Sequence, residues 1–241
     1  MLRKLISHKI GTALRNEKRK DYMNVVQMQL ALIFCALTLQ GFAEVFNIPY
    51  GATIADLPVL ALGSAYMFML WDMLRNFTRR YWQLVAVLVS LTLAFSTTLV
   101  FANPLWDPLP EYNPQWPLFW VHVCLFFTEC TVIYYAIYDI FSEETDPRNK
   151  IWGSACIYLM IGISFGSLYD LINIAGPGSL GETFEPGVKG YIRCIRLSMN
   201  VLANTNSEFP NASQLINNIG IIQSVWSNLY IVLVVGRLLS R

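Results

Sequence analysis

Six apolar runs, Val25–Phe46, Leu57–Leu74, Trp82–Ala102, Leu118–Phe141, Ile151–Ile174 and Ser213–Ser240, take up most of this chain. Each is long enough to match the roughly 20 residues that carry a helix across about 30 Å of hydrocarbon. Charges make up only 14% of the residues, about half of what a soluble domain carries, and mean hydropathy is +0.44. An all-α integral membrane protein with six transmembrane helices follows, and no stretch remains for a soluble enzyme domain.

Lysine and arginine are retained on the cytoplasmic side of short loops, so their placement orients the helices. Arg3, Lys4, Lys9, Arg15, Lys18, Arg19 and Lys20 precede the first run; Arg75, Arg79 and Arg80 follow the second, and Arg148 and Lys150 follow the fourth. The alternate connections, 47–56 and 103–117, hold Asp56, Asp107 and Glu111 but no lysine or arginine. A multi-pass protein of the cell membrane with both termini cytoplasmic is therefore expected. The basic N-terminal segment, residues 1–22, lacks the plan of a cleavable signal. Leu2, Leu5, Ile6, Ile10 and Leu14 recur there at helical spacing, so it reads either as an amphipathic helix on the anionic inner leaflet or as a solvated basic segment that fixes topology.

The five cysteines are scattered, and His8 and His122 lie far apart, so neither a disulfide framework nor a metal site is expected. No cofactor is implied beyond permeating monovalent or divalent cations, and the implied partner is the lipid bilayer, with no nucleic acid. Tyr22, Trp71, Tyr81, Trp82, Trp106, Trp116, Trp120 and Trp152 stand at the ends of runs, where aromatic rings anchor at the interface.

Between the last two runs the chain changes character. Gly176-Pro-Gly-Ser-Leu-Gly181 punctuates an irregular loop. Tyr191–Ala203 then reads as a helix too short to cross, with Arg193, Arg196, Ser198 and Asn200 among its apolar residues. Such a half-length helix sits at membrane depth only where protein or a wet cavity satisfies the backbone that follows it. A re-entrant pore helix with a filter-like strip is the expectation. The strip offers Asn204, Thr205, Asn206, Ser207 and Glu208.

These residues carry a resemblance. Residues 151–241, with an outer helix, a turret, a pore helix, a strip and an inner helix ending Leu229-Tyr-Ile-Val-Leu-Val-Val-Gly-Arg-Leu-Leu-Ser240, resemble the potassium-channel superfamily of tetrameric cation channels, in its bacterial two-helix pore-domain type. The resemblance implies a homotetramer conducting ions through an axial pore. The strip departs from the family because it has no glycine, whereas a carbonyl-lined potassium filter needs them. Thr205, Glu208 and Pro210 look more like the T-I-G-E-T-P strip of poorly selective cyclic-nucleotide-gated channels, with Ser207 at the glycine. An acidic ring as in bacterial sodium channels is a second analogue. Four copies of Glu208 would attract cations, with Thr205, Asn204 and Asn206 replacing part of an ion's water shell. Glu208 alternatively caps a turn or pairs with Arg193 or Arg196, the residues expected to support the pore helix.

In the last run Asn217, Ser224, Asn228, Ile231 and Val235 share one stripe, which reads either as a pore lining above a hydrophobic gate or, with Gln223, as hydrogen-bonding glue between helices. The domains implied are 1–22, a four-helix bundle over 23–145 and a pore domain over 146–241. The fourth run lacks the arginine ladder that steep voltage dependence requires. Glu129 is its deepest acid, read as a ligand or proton site or as a structural partner of Gln40 or a nearby amide. A non-voltage-gated, weakly selective cation channel, not an enzyme, is the leading expectation, with room for a separate cytoplasmic gating protein acting through the basic N-terminus. A non-conducting membrane scaffold or sensor that recruits a partner protein is the alternative.

Overall fold

The computed structural model describes residues 2–47, 50–78, 80–103, 105, 113–142, 147–184, 186–205 and 211–239. Among them are seven helices and no strand: α1 Leu2–Val45, α2 Gly51–Phe77, α3 Tyr81–Phe101, α4 Gln115–Phe141, α5 Pro147–Ala175, α6 Val188–Leu202 and α7 Gln214–Leu239. Five carry segments long and apolar enough to span a membrane: Lys18–Val45, Thr53–Phe77, Tyr81–Phe101, Gln115–Phe141 and Asn149–Ala175. The chain is a membrane-associated, all-helical protein. Helix α7 matches the sixth predicted run in position, and the side chains of part of its C-terminal end lie outside the described residues.

Helix α5 is the centre of the packing. Buried residues make up 61% of its most apolar window against 11% in α3, which lies at the edge. It packs against α4, α1, α6 and α7, and its small residues explain why. A β-carbon at Gly153 would lie 2.9 Å from the Ile140 side chain and 3.1 Å from Tyr22, and one at Gly166 would lie 3.2 Å from the Ile195 backbone. Small residues let helix backbones approach closely where lipid offers no hydrophobic drive to association. Tyr22, Leu32, Leu70, Leu74, Val132, Ile157 and Met160 form the apolar core around this helix.

Polar groups gather at the two ends of the bundle. At the basic end Lys18 Nζ reaches Asp139 Oδ1 at 2.6 Å, Tyr22 donates to Asp139 Oδ2 at 3.0 Å, and Asn76 donates to Asp21 at 2.7 Å. At the opposite end Gln40 donates to Asp56 at 3.1 Å and Gln115 donates to the Ile174 carbonyl at 2.6 Å. Two expectations change here. Tyr22 is 1% exposed and serves as a core residue with a tethered hydroxyl, not an interfacial anchor. Asp56, expected in a loop, is buried inside α2 because Gln40 satisfies it. Tyr81, Trp82, Trp116 and Trp120 are well exposed at helix ends, as anchors should be. Trp106 lies outside the described residues.

Candidate functional site

The segment expected to be distinctive is α6 with its flanks. Gly187, at φ 139°, adopts a backbone conformation that only glycine reaches readily and turns the chain into the helix. The helix stops in a Schellman motif: Asn204 takes the left-handed conformation (φ 53°), Thr205 N–H donates to the Asn200 carbonyl at 2.9 Å, and Asn204 N–H donates to Val201 at 3.1 Å. Two filter candidates therefore terminate the helix. The Thr205 hydroxyl also donates to the Asn200 carbonyl at 3.1 Å, while Asn204 Oδ1 accepts from Ser224 at 3.0 Å. Asn206, Ser207 and Glu208 lie outside the described residues.

Helix α6 runs antiparallel along the second half of α5. Cys194 donates to Asp170 at 3.6 Å, Ser198 donates to the Gly162 carbonyl at 2.6 Å, and the Leu202 carbonyl accepts from Tyr158 at 3.3 Å. From Val188 to Leu202 the axis falls by about 21 Å at 1.5 Å per residue. The chain then returns, since Ser213 N–H donates to the Ser179 carbonyl at 2.8 Å, beyond the end of α5. Ser224, which holds Asn204, stands about 16 Å further along the helical chain from Ser213.

Three buried side chains lock this arrangement. Gln223 donates to the Ser198 carbonyl at 3.0 Å and to its hydroxyl at 2.7 Å, and Tyr169 donates to Gln223 Oε1 at 2.9 Å. All three residues are fully buried, so α5, α6 and α7 are joined by one network without access to water. Sequence reasoning named Gln223 as possible glue but missed Ser198 and Tyr169 as its partners. Neither bears a signal that distinguishes it from any other polar residue on an apolar helix.

The inner-stripe residues lie elsewhere on α7. Ile216, Gln223, Ser227 and Tyr230 form its buried face, whereas Asn217, Asn228 and Ile231 are exposed and Ser224 is half-buried. Gln223 joins α7 to α5 and α6, and within the stripe Ser224 bonds Asn204 while Asn217, Asn228 and Ile231 are exposed. The Val235 side chain lies outside the described part. Between α6 and α7 a groove of about 380 Å³ is lined by Asn204, Thr205, Asn217, Gly220 and Ser224 among others.

Arg193 is exposed, with its guanidinium 4.1 Å from the Phe184 ring centre and 3.4 Å from Glu182. It braces the loop that leads into α6. Arg196 is half-buried one turn on and is also engaged. The stacking on Phe184 gives Arg193 a planar partner suited to a delocalised cation.

In the helices before α5, His122 Nε2 stands 2.8 Å from Asp170 Oδ2, and the His122 ring lies 4.9 Å from that of Tyr191. This cluster connects α4, α5 and α6. Glu129 is fully buried two turns away on α4. The expected partner Gln40 is not available to it, because Gln40 sits at the helix ends and serves Asp56. All five cysteines are free, and no set of three metal-ligating side chains gathers among the described residues.

No family model, curated protein or solved structure matches this chain.

Proposed function

We propose that the protein is a cation-conducting membrane channel, non-voltage-gated and weakly selective, built as a homotetramer with its pore formed by residues 146–241. The observation that carries this reading is the path of the chain around α6. A 15-residue helix descends along α5, ends against Tyr158, and is followed by a strip that is back beside Ser179 by Ser213. A short helix followed by a return strip is the arrangement that places non-helical backbone inside a membrane protein next to an aqueous path.

In this reading α7 is the sixth span and lines the pore. Its one face is held by Gln223, Ser227 and Tyr230, and its stripe, Asn217, Ser224, Asn228 and Ile231, would face the axis. The asparagines, costly against lipid, would there meet water. Asn204 and Thr205 would form the base of the filter, and Glu208 its acidic ring, drawing cations and opposing anions. Fourfold assembly also accounts for the exposed apolar flank of α7, Ile221, Ile222, Val225, Trp226 and Leu229, as subunit or lipid contact. Arg193, stacked on Phe184, would hold the entrance to the pore helix from the periphery. No lysine or arginine occurs between residues 115 and 141, so gating by a charge ladder in α4 is not part of the proposal.

Reconstitution of the purified tetramer in planar bilayers tests this. Cation current that loses its preference for cations in Glu208→Gln and reverses it in Glu208→Lys would support the ring. A monomer or dimer in lipid, or unchanged ion preference in both variants of a conducting protein, would refute it.

A further inference from the structure

Glu129 lies about 21 Å along α4 from the start of that helix, well inside the span. Its side chain is 0% exposed, with the hydroxyls of Tyr66 and Ser167 placed beside its carboxyl group. The groups that face it come from every surrounding helix: Tyr66 on α2, Ser167 on α5, Tyr191 on α6 and Cys130 beside it on α4, with Gln29 of α1 next to Tyr66. Helix α3 contributes apolar Leu91 and Ala94 to the neighbouring layer. None of these is a cation. The ion pairs among the described residues join Lys18 to Asp139, Arg75 to Asp72, His122 to Asp170 and Arg193 to Glu182, and none includes Glu129. His122, two turns away on the same helix, is engaged with Asp170, its Nε2 standing 2.8 Å from Asp170 Oδ2.

A carboxylate in such a place exchanges its hydration for two neutral hydroxyls and no counter-charge, which is a costly way to bury a side chain. The neutral acid avoids that cost, and its hydroxyl can donate to the oxygens around it. Above Glu129, a cavity of about 60 Å³ opens between the first four helices and α6, with Tyr66, His122 and Tyr191 in its wall. Tyr66 and Tyr191 thus face the cavity on one side and Glu129 on the other. The cavity extends to Ala102, Leu118 and Gly187, at the end of the bundle opposite the basic loops, and holds roughly four to six water-sized groups.

We infer that Glu129 is a proton-binding site, held as the neutral acid in the folded protein and reached from the non-basic face through this cavity and the hydroxyls of Tyr66 and Tyr191. One proton leaves an aqueous acid on that side and adds to a Glu129 oxygen, with no electron transfer. Tyr191 belongs to the first turn of α6, so loss of the proton would disturb the helix proposed to support the filter. That consequence rests on the channel reading, whereas the site itself does not.

Infrared spectroscopy of the full chain in lipid bilayers at neutral pH reads the site directly and needs no current. The expected result is a protonated-carboxyl stretch that shifts when glutamate is carbon-13 labelled and disappears in Glu129→Gln. Labelling tests the assignment in the unaltered protein, so a misfolded variant does not shield the inference. Absence of such a band, its survival in a folded Glu129→Gln protein, or its appearance only after sodium and potassium are removed would overturn it. Transfer to deuterated buffer tests the route. A β-carbon at Gly63, which lines the cavity, meets nothing within 4 Å, so Gly63→Leu can fill the space. The deuterium shift of the band should be slower in Gly63→Leu, and an unchanged rate would remove the cavity from the path.

Discussion

Substitution of Gln223 by leucine gives the sharpest test of how α5, α6 and α7 are held together. The change keeps side-chain volume close to the original but removes three hydrogen bonds, two to Ser198 and one from Tyr169. Interhelical hydrogen bonds in membrane proteins contribute about 0.6 kcal/mol each, so their loss alone costs about 2 kcal/mol. Tyr169 is 0% exposed, and its hydroxyl would be left without an acceptor, adding about 1 kcal/mol or more. Ser198 keeps its bond to Gly162 and adds little. The single variant should therefore lose about 3 kcal/mol. Tyr169→Phe in the wild-type background loses one bond and strands Gln223 Oε1, for about 1.5 kcal/mol. In the Gln223→Leu background the same Tyr169→Phe change removes a stranded hydroxyl and should be neutral or stabilising by about 1 kcal/mol. Reversible unfolding in mixed micelles, followed by tryptophan fluorescence, measures all four corners of this cycle. Equal destabilisation by Tyr169→Phe in both backgrounds would refute the network, because independent sites add.

Three further outcomes follow from particular contacts. Gly166→Ala should lose about 1–3 kcal/mol in the same assay, since its β-carbon would meet the Ile195 backbone at 3.2 Å, whereas Gly41→Ala, with nothing within 4 Å, should lose nothing. Lys18→Met should cost under about 1 kcal/mol, because the lysine is 39% exposed, while Asp139→Leu should cost about 1–3 kcal/mol by leaving the buried Tyr22 hydroxyl without its acceptor. A thermal melt that ranks these two in the reverse order would show that the ion pair, not the tyrosine bond, carries the contact. Asn204→Gly should retain the turn after α6 and lose only the Ser224 bond, but Asn204→Val should cost about 1–2 kcal/mol more, because a β-branched residue resists the left-handed backbone.

Part of the fold is legible from local chemistry. The apolar run Leu118–Phe141 becomes α4 Gln115–Phe141, displaced only at its start, where Asn113 Oδ1 accepts the Gln115 N–H at 2.9 Å. The short helix expected at Tyr191–Ala203 is α6 Val188–Leu202, begun three residues earlier by the Gly187 turn. The basic segment and the first run, divided at residue 22, form one continuous helix, because nothing in that stretch breaks helical hydrogen bonding. Hydropathy marks where a segment is apolar, while helix ends answer to capping and turn geometry.

Partner choice is less legible. Gln40 and Glu129 look equally suited to each other as lone polar groups in apolar runs, yet Gln40 meets Asp56 and Glu129 meets tyrosines and a serine. His122 and Asp170 lie in different runs with nothing in either to announce the pair. On α7, Gln223 and Asn228 are similar amides on one helix, but one is enclosed and the other open.

The sequence by itself determined that this chain is helical, that it belongs in a membrane, and that the segment before the last helix is too short and too polar to be another span. Those properties depend on how each stretch interacts with hydrocarbon and water, which is local. Only the tertiary structure decided that α5 is the central helix, that Asn204 and Thr205 end α6, that Gln223 locks three helices, and that Glu129 is enclosed without a counter-charge. Each of those depends on which side chains from distant parts of the chain stand within hydrogen-bonding or van der Waals reach of one another, and no single segment holds that information.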